Sequence, residues 1–259
     1  MYEPKQIPYL LDKNFKENIE YKEYKIPELQ EYCMCIWSMQ SKKEIEKTIY
    51  NYILPDACID IVIDFIENSI CFAGFSKETI AFPLGKKVDY MGVRLKPSSF
   101  YTLFGVEATE VMDHPIPFSL IETSDKLHCI LTTNDNTERI SLLTKYLCEK
   151  IKNKKDTTFM QVVDELYQNP KYQTVTSIAC RFGYNRRHLF RIFKKYYGVS
   201  PQVLLNIIRL HLCLHFLLEG KKIEDIMEYT GFYDQSHFIR EMKKYTGFSP
   251  LELLKEYDK

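Results

Sequence analysis

The sequence predicts an α+β chain of two domains: a small antiparallel β sandwich or open barrel with flanking helices, then an all-α pair of helix-turn-helix units. Three observations carry this expectation. Residues 188–201 recur at 237–250 with eight of fourteen positions identical, and internal similarity at a fixed offset marks one structural unit used twice. Short β-branched and aromatic runs divided by turn residues fill the first hundred residues, and helical spacing takes over after them. Charge is divided too. The formal net charge is zero, yet residues 171–250 hold thirteen Lys/Arg against six Asp/Glu.

Strand candidates are residues 31–39, 48–53, 59–65, 69–72, 79–82 and 90–95. Pro55-Asp56, Glu67-Asn68, Gly74 and Pro83-Leu84-Gly85 divide them. Strands this short and this closely spaced suit a sandwich or open barrel. A helix starts at Pro97, 116–120 reads as loop, and 127–131 and 138–151 read as helical. Residues 150–156 form a charged linker, so the expected domains are 1–152 and 158–259, the second opening on a helix over 158–168.

Each copy of the repeat has the parts of a helix-turn-helix. The first unit spans about 174–198. Ile178, Ala179 and Phe182 lie at helical spacing, Gly183 closes that helix, and Asn185 caps the next. The second unit spans about 222–247, with Gly231 as the turn and Asp234 as the cap. The offset is 48 at the glycines and 49 from His188 onward, so the second turn carries one extra residue. Between the units, Ser200-Pro201 opens a helix over 201–219. It is about 28 Å long at roughly 1.5 Å per residue. Successive major-groove faces lie about 34 Å apart, so such a rod can space two reading helices along DNA.

Residues 158–259 resemble the DNA-binding domain of the AraC/XylS family of bacterial transcription regulators. The resemblance rests on Ser177-Ile178-Ala179, Gly183-Tyr184, His188-Leu189, Gly198 with Ser200-Pro201, Gly231-Phe232, Asp234 through Phe238, and Lys243-Lys244. It implies that Arg186, Arg187, Phe190, Arg191, Lys194 and Lys195 face DNA from the first recognition helix. Gln235, Ser236, His237, Ile239, Arg240, Lys243 and Lys244 would do so from the second. Phe190 stands where many relatives have a polar base-reading side chain, and Met242 replaces a more usual aromatic. Trp37, residues 54–64 and residues 92–105 resemble an uncharacterised N-terminal domain found on one branch of the same family, which implies a sensory part without naming a ligand. The implied partners are double-stranded promoter DNA, a small-molecule effector, RNA polymerase if the protein activates, and a second copy of the chain.

The residues themselves leave several readings open. Arg94 sits between Val93 and Leu95, and a charge there needs a partner. An internal pair with Asp60 or Asp64 and an anionic ligand are both open. Trp37, the sole tryptophan, is a core residue or a ligand-stacking wall. A pocket lined by Trp37, Tyr90 and Arg94 is the expected effector site. Paired lysines at 194–195 and 243–244 are a solvated face or phosphate contacts; their recurrence favours the second. Cys33 and Cys35 alternate along a strand, which would put both thiols on one side; with Cys58 and Cys71 they are core residues, redox sensors or metal ligands.

Function classes narrow accordingly. No catalytic constellation, metal set or cofactor motif appears, so the expectation is a non-enzyme without cofactor or metal. No run reaches the roughly 18 apolar residues of a membrane span, and the expected location is cytoplasmic. An effector-controlled regulator leads. A constitutive regulator with a dimerising N-terminal domain and a thiol-based redox or alkylation sensor are the alternatives.

Overall fold

In a computed structural model, residues 2–4, 6, 12–123, 125–152, 154 and 158–257 are described. The expected linker at 150–156 falls partly outside them, at 153 and 155–156. Helix α1 (Lys13–Asn18) leads into β1 (Ile19–Tyr24) and β2 (Cys33–Ser41). Then follow β3 (Tyr50–Ile53), β4 (Ile59–Asp64), β5 (Ser69–Gly74), β6 (Ile80–Pro83) and β7 (Asp89–Leu95). Helix α2 (Ser99–Phe104), the short β8 (Ile116–Pro117) and α3 (Asn136–Ile151) complete this half.

Six strands pair antiparallel in the order β1-β2-β7-β4-β5-β8, and β3 and β6 form a separate ribbon. Alternation sorts the two faces. Ile36, Ile61, Ile63, Met91, Val93 and Leu95 point to the helical side, where α2 and α3 cover them. The other face carries Cys35, Trp37, Met39 and Tyr90, packed against Ile45, Ile49, Leu84 and Val88. Arg94 shares that second face, which explains how a charge fits between Val93 and Leu95. At Gly92 the indole of Trp37 crosses so closely that an added Cβ would lie 2.4 Å from the ring. Arg139 of α3 is buried with its guanidinium 3.3 Å above the Phe65 ring and 3.1 Å from Asp89, tying helix to sheet.

Two sequence expectations change here. Residues 116–120 are not plain loop: β8 pairs with β5, and a 3-10 turn follows over Phe118–Leu120. Cys33 and Cys35 do not share a face. A bulge between them sets Cys33 opposite Leu95 and Cys35 opposite Arg94, so Cys33 joins the helical-side core and Cys35 the other. Burial pushes both thiols up to about 12, so neither is a thiolate near neutral pH. Among the described residues no cluster of three or more metal-ligating side chains occurs.

The second half is helical: α4 (Thr158–Gln168), α5 (Val175–Phe182), α6 (Arg186–Tyr197), α7 (Pro201–Leu218), α8 (Ile223–Thr230), α9 (Gln235–Thr246) and α10 (Pro250–Tyr257). Helix α7, about 27 Å long at 1.5 Å per residue, is no free rod. Leu204, Leu205, Ile207 and Ile208 belong to the core of the first unit, and Leu210, Cys213, Leu214 and Leu217 to that of the second. Its length and apolarity would suit a membrane span by composition, but 61% of it is buried in the fold. The two halves also share cores. Met160 packs into the sheet side, while Tyr2, Ala57, Phe75 and Met112 pack into the first unit and Leu54 into the second.

Candidate functional site

The two reading helices are built alike. Asn185 accepts from His188 N at 2.8 Å and Asp234 from His237 N at 2.7 Å, so each helix starts from a side-chain cap. Each ends on a left-handed glycine, Gly198 and Gly247, whose N–H bonds back to Lys194 and Lys243. Leu189, Phe193 and Tyr197 fix the inner face of α6; Phe238, Met242, Tyr245 and Thr246 fix that of α9. Tyr197 completes the first core, while Tyr196 is half-buried against Phe159 and Tyr101.

The outer faces carry most of the residues expected to meet DNA. Arg186, Arg187, Phe190 and Arg191 are exposed on α6, and Gln235, Ser236, His237, Arg240, Lys243 and Lys244 on α9. Ile239 is half-buried and packs at the margin of the second core. Some of these side chains are already engaged. Arg186 donates to Thr176 Oγ1 at 2.7 Å, and Arg191 meets His188 Nδ1 at 3.1 Å. Lys194 reaches the carbonyl of Gly198 at 3.5 Å. Lys195 stands apart: its ammonium lies 4.5 Å over the ring of Tyr101, a residue of α2 in the other half. Lys195 therefore turns toward the N-terminal half. Tyr233, which the repeat comparison did not single out, is 94% exposed at the tip of the longer second turn. The one-residue offset was its only sequence signal.

The expected effector residues separate. Arg94 is nine-tenths buried, with Cys35 and Asp60 as its cross-strand neighbours. Its guanidinium lies 3.3 Å from Glu23, 3.6 Å from Asp60 and 3.7 Å from Asp56, and its Nε has no hydrogen-bond partner. Asp64, the other expected partner, instead accepts from the backbone N–H groups of Ile66 and Glu67. Trp37 Nε1 donates to Asp60 Oδ2 at 2.9 Å. Burial pushes the Asp60 carboxyl up to about 7, against the pull of Arg94 and with Asp56 adding to the rise. A cleft of about 370 Å³ opens over Arg94, lined also by Tyr2, Glu23, Met34, Cys35 and Lys96. Trp37 and Tyr90 do not line it. Trp37 is packed behind Asp60 against Tyr21, and Tyr90 lies four residues along the strand, half-buried at the margin of that core. Of the two readings open for Arg94, the internal pair with Asp60 is present, and Glu23 and Asp56 join it.

The segment joining β3 to β4 links this cluster to the helical half. Asp56 accepts from Cys58 N and from Gln6 Nε2, both at 2.9 Å. Next to it, the Pro55 carbonyl meets His211 Nε2 of α7 at 2.7 Å in a fully buried contact. Tyr2 donates to the Asp56 carbonyl at 2.9 Å and sets its ring edge-on to His211. Ala57 holds φ at 61°, a left-handed strain that persists only where packing enforces it.

Comparison with known proteins adds the family. Residues 178–256 match a family described as Helix-turn-helix domain. The C-terminal half is an AraC-type helix-turn-helix domain. Residues 26–117 match a family described as Domain of unknown function (DUF6597). The curated Uncharacterized HTH-type transcriptional regulator YbfI of Bacillus subtilis (strain 168) is 27% identical over 131 residues, 46% of this chain and 48% of that protein. The chain thus matches about half the length of that relative. Among solved structures, the C-terminal domain of the response regulator AraT from Geobacillus stearothermophilus is 27% identical over 37% of this chain and 78% of its own, with a TM-score of 0.34. ToxT from Vibrio cholerae is 14% identical over 92% of this chain and 98% of its own, with a TM-score of 0.43. The helix-turn-helix match spans both capped helices, α6 and α9.

Proposed function

We propose that the chain reads a two-part promoter site with α6 and α9 and that residues 1–152 control this reading in response to a small effector. The observation that supports it most is the pair of capped helices with buried inner faces and basic outer faces on one shared helix. Arg187 and Arg191 of α6, and Gln235 and Arg240 of α9, supply the base-edge chemistry: Arg suits the paired acceptors of guanine and Gln those of adenine. Phe190, 49% exposed, offers an apolar contact suited to a thymine methyl. The chain then acts by binding rather than by catalysis. RNA polymerase, for an activator, and a second copy of the chain belong to the same proposal.

Footprinting and affinity on a selected site test it. Arg187→Ala and Arg240→Ala should each lose about 1–3 kcal/mol on the cognate sequence and relax base preference in one half-site only. Unchanged footprints and affinities in both variants would overturn the assignment.

A further inference from the structure

We propose that the cleft over Arg94 binds a small apolar zwitterion, carrying both a carboxylate and an amine, and that Tyr2 and residues 54–58 relay its presence to α7. This rests on reading the N-terminal half as a control domain. A nine-tenths buried guanidinium whose Nε has no hydrogen-bond partner forms the floor of the cleft. Its three carboxylate neighbours are each held by another donor: Asp56 by Cys58 N and Gln6, Asp60 by Trp37, and Glu23 by the Tyr21 hydroxyl at 2.7 Å. Only Glu23 accepts a hydrogen bond from Arg94, from Nη1 at 3.3 Å, while Asp56 and Asp60 stay 3.7 and 3.6 Å from Nε. That leaves donor capacity for an incoming acceptor.

The same geometry fixes the ligand class. At the floor of the cleft a bare anion would meet Arg94 but also Glu23 and the Asp56 and Asp60 carboxyl groups, where charges are weakly screened; of the further lining cations, Lys25 is exposed and already paired with Glu3, and Lys96 completes the set. A bare amine would face Arg94 with nothing to offer its donors. A molecule bearing both groups places its carboxylate on the guanidinium and its ammonium on Glu23, whose side chain is 40% exposed. Met34, Cys35 and Pro27 supply an apolar wall, and about 370 Å³ lies within the size range of small-molecule sites.

Tyr2 is the natural relay, because it lines the cleft, holds the Asp56 carbonyl and packs on His211. A ligand that draws Arg94 away from Asp56 loosens the segment whose Pro55 carbonyl grips α7 and whose Ala57 is strained. The relay works only if the ligand favours one arrangement of that segment over another.

Fluorescence of Trp37, the sole tryptophan, reads the site directly, since its N–H bonds the Asp60 carboxylate beside Arg94. The full chain is titrated with L-leucine and L-phenylalanine, and with 3-phenylpropanoate and phenethylamine as matched acid and amine. A saturable shift with an amino acid is expected, with acid and amine at least about tenfold weaker, the effect of one lost charged contact. Glu23→Gln should abolish the response while the free protein still unfolds in one cooperative transition; Arg94→Lys should weaken it. No response to either amino acid, equal binding by the acid, or an undiminished response in Glu23→Gln each overturns the site. A Trp37 response with unaltered DNA affinity overturns the relay. Absence of DNA binding by the free chain would overturn the regulator reading and leave the cleft result standing.

Discussion

The two helix-turn-helix units share caps and closing glycines but are held by different things. In the first unit, α5 starts from a reciprocal cap in which Thr174 and Ser177 satisfy each other's backbone N–H groups. In the second, α8 starts at Lys222 with no side-chain cap, and Glu224 and Asp225 in its first turn meet the helix dipole instead. The larger difference lies behind the recognition helices. Helix α6 is backed by the N-terminal half: Tyr101 sits edge-on to Tyr196 at 4.6 Å, and Met112 and Ala108 close over Gly198. Among the described residues, helix α9 meets that half near its end, where the Thr79 hydroxyl reaches the Tyr245 carbonyl, and through Leu54 in the core beneath it. Under the proposed function, control from the N-terminal half would act on the first unit by direct packing and on the second mainly through α7.

The strongest way to break this comparison is at His211, in the middle of α7 between the two cores. Leucine there leaves the buried Pro55 carbonyl without its donor. That should lower stability by about 1–3 kcal/mol, the cost of stranding a buried polar group. Hydrogen exchange should quicken at 54–58 and at the centre of α7, while the amides of Gln235–Thr246 keep their protection. Equal loss over α6 and α9 would mean that the second unit depends on the N-terminal half as closely as the first.

The closing glycines sharpen the contrast at a smaller scale. Both hold positive φ, 72° at Gly198 and 80° at Gly247, so alanine costs each about 1 kcal/mol from its Cβ alone. At Gly247 the added carbon meets nothing within 4 Å. At Gly198 it would lie 2.7 Å from Met112 Sδ and 3.3 Å from the Ala108 carbonyl, so the N-terminal half must shift. Gly247→Ala should lower the thermal midpoint modestly and leave proteolysis between the halves unchanged. Gly198→Ala should destabilise more and also open that boundary to protease. Identical behaviour of the two variants would remove the packing difference.

Much of this was legible in the sequence because it depends on local rules. The caps Asn185 and Asp234, the glycines and the spacing of Ile178, Ala179 and Phe182 each act within one or two turns of chain. Strand β1 was not legible. Ile19-Glu20-Tyr21-Lys22-Glu23-Tyr24 is a charged edge strand, whose composition guards against aggregation and hides the strand pattern. Missing it hid Glu23, one of Arg94's partners. Asp56 was hidden for another reason: it reaches Arg94 from a loop, so no strand register announced it. The bulge at Cys33–Cys35 reversed a face assignment that strict alternation had made. Within the reading helices, sequence placed the basic residues but could not tell Lys195 from Lys194, because what separates them is Tyr101, ninety-odd positions away.

That separation gives the smallest effect and the finest test. Each Lys or Arg that neutralises a phosphate contributes about −0.9 to the slope of log affinity against log salt. Lys243 is exposed on α9. Lys195 is half-buried, with its ammonium held over Tyr101. Lys243→Ala should therefore flatten the salt slope by about one unit and weaken cognate and random DNA alike. Lys195→Ala should leave the slope almost unchanged while removing a cation–π contact of about 0.5–1 kcal/mol between the halves. Tyr101→Leu supplies the control. It frees the ammonium without removing it, so the slope should steepen if the N-terminal half withholds Lys195 from DNA. If Lys195→Ala flattens the slope as much as Lys243→Ala, the lysine leaves Tyr101 on binding and both units present the same phosphate contacts.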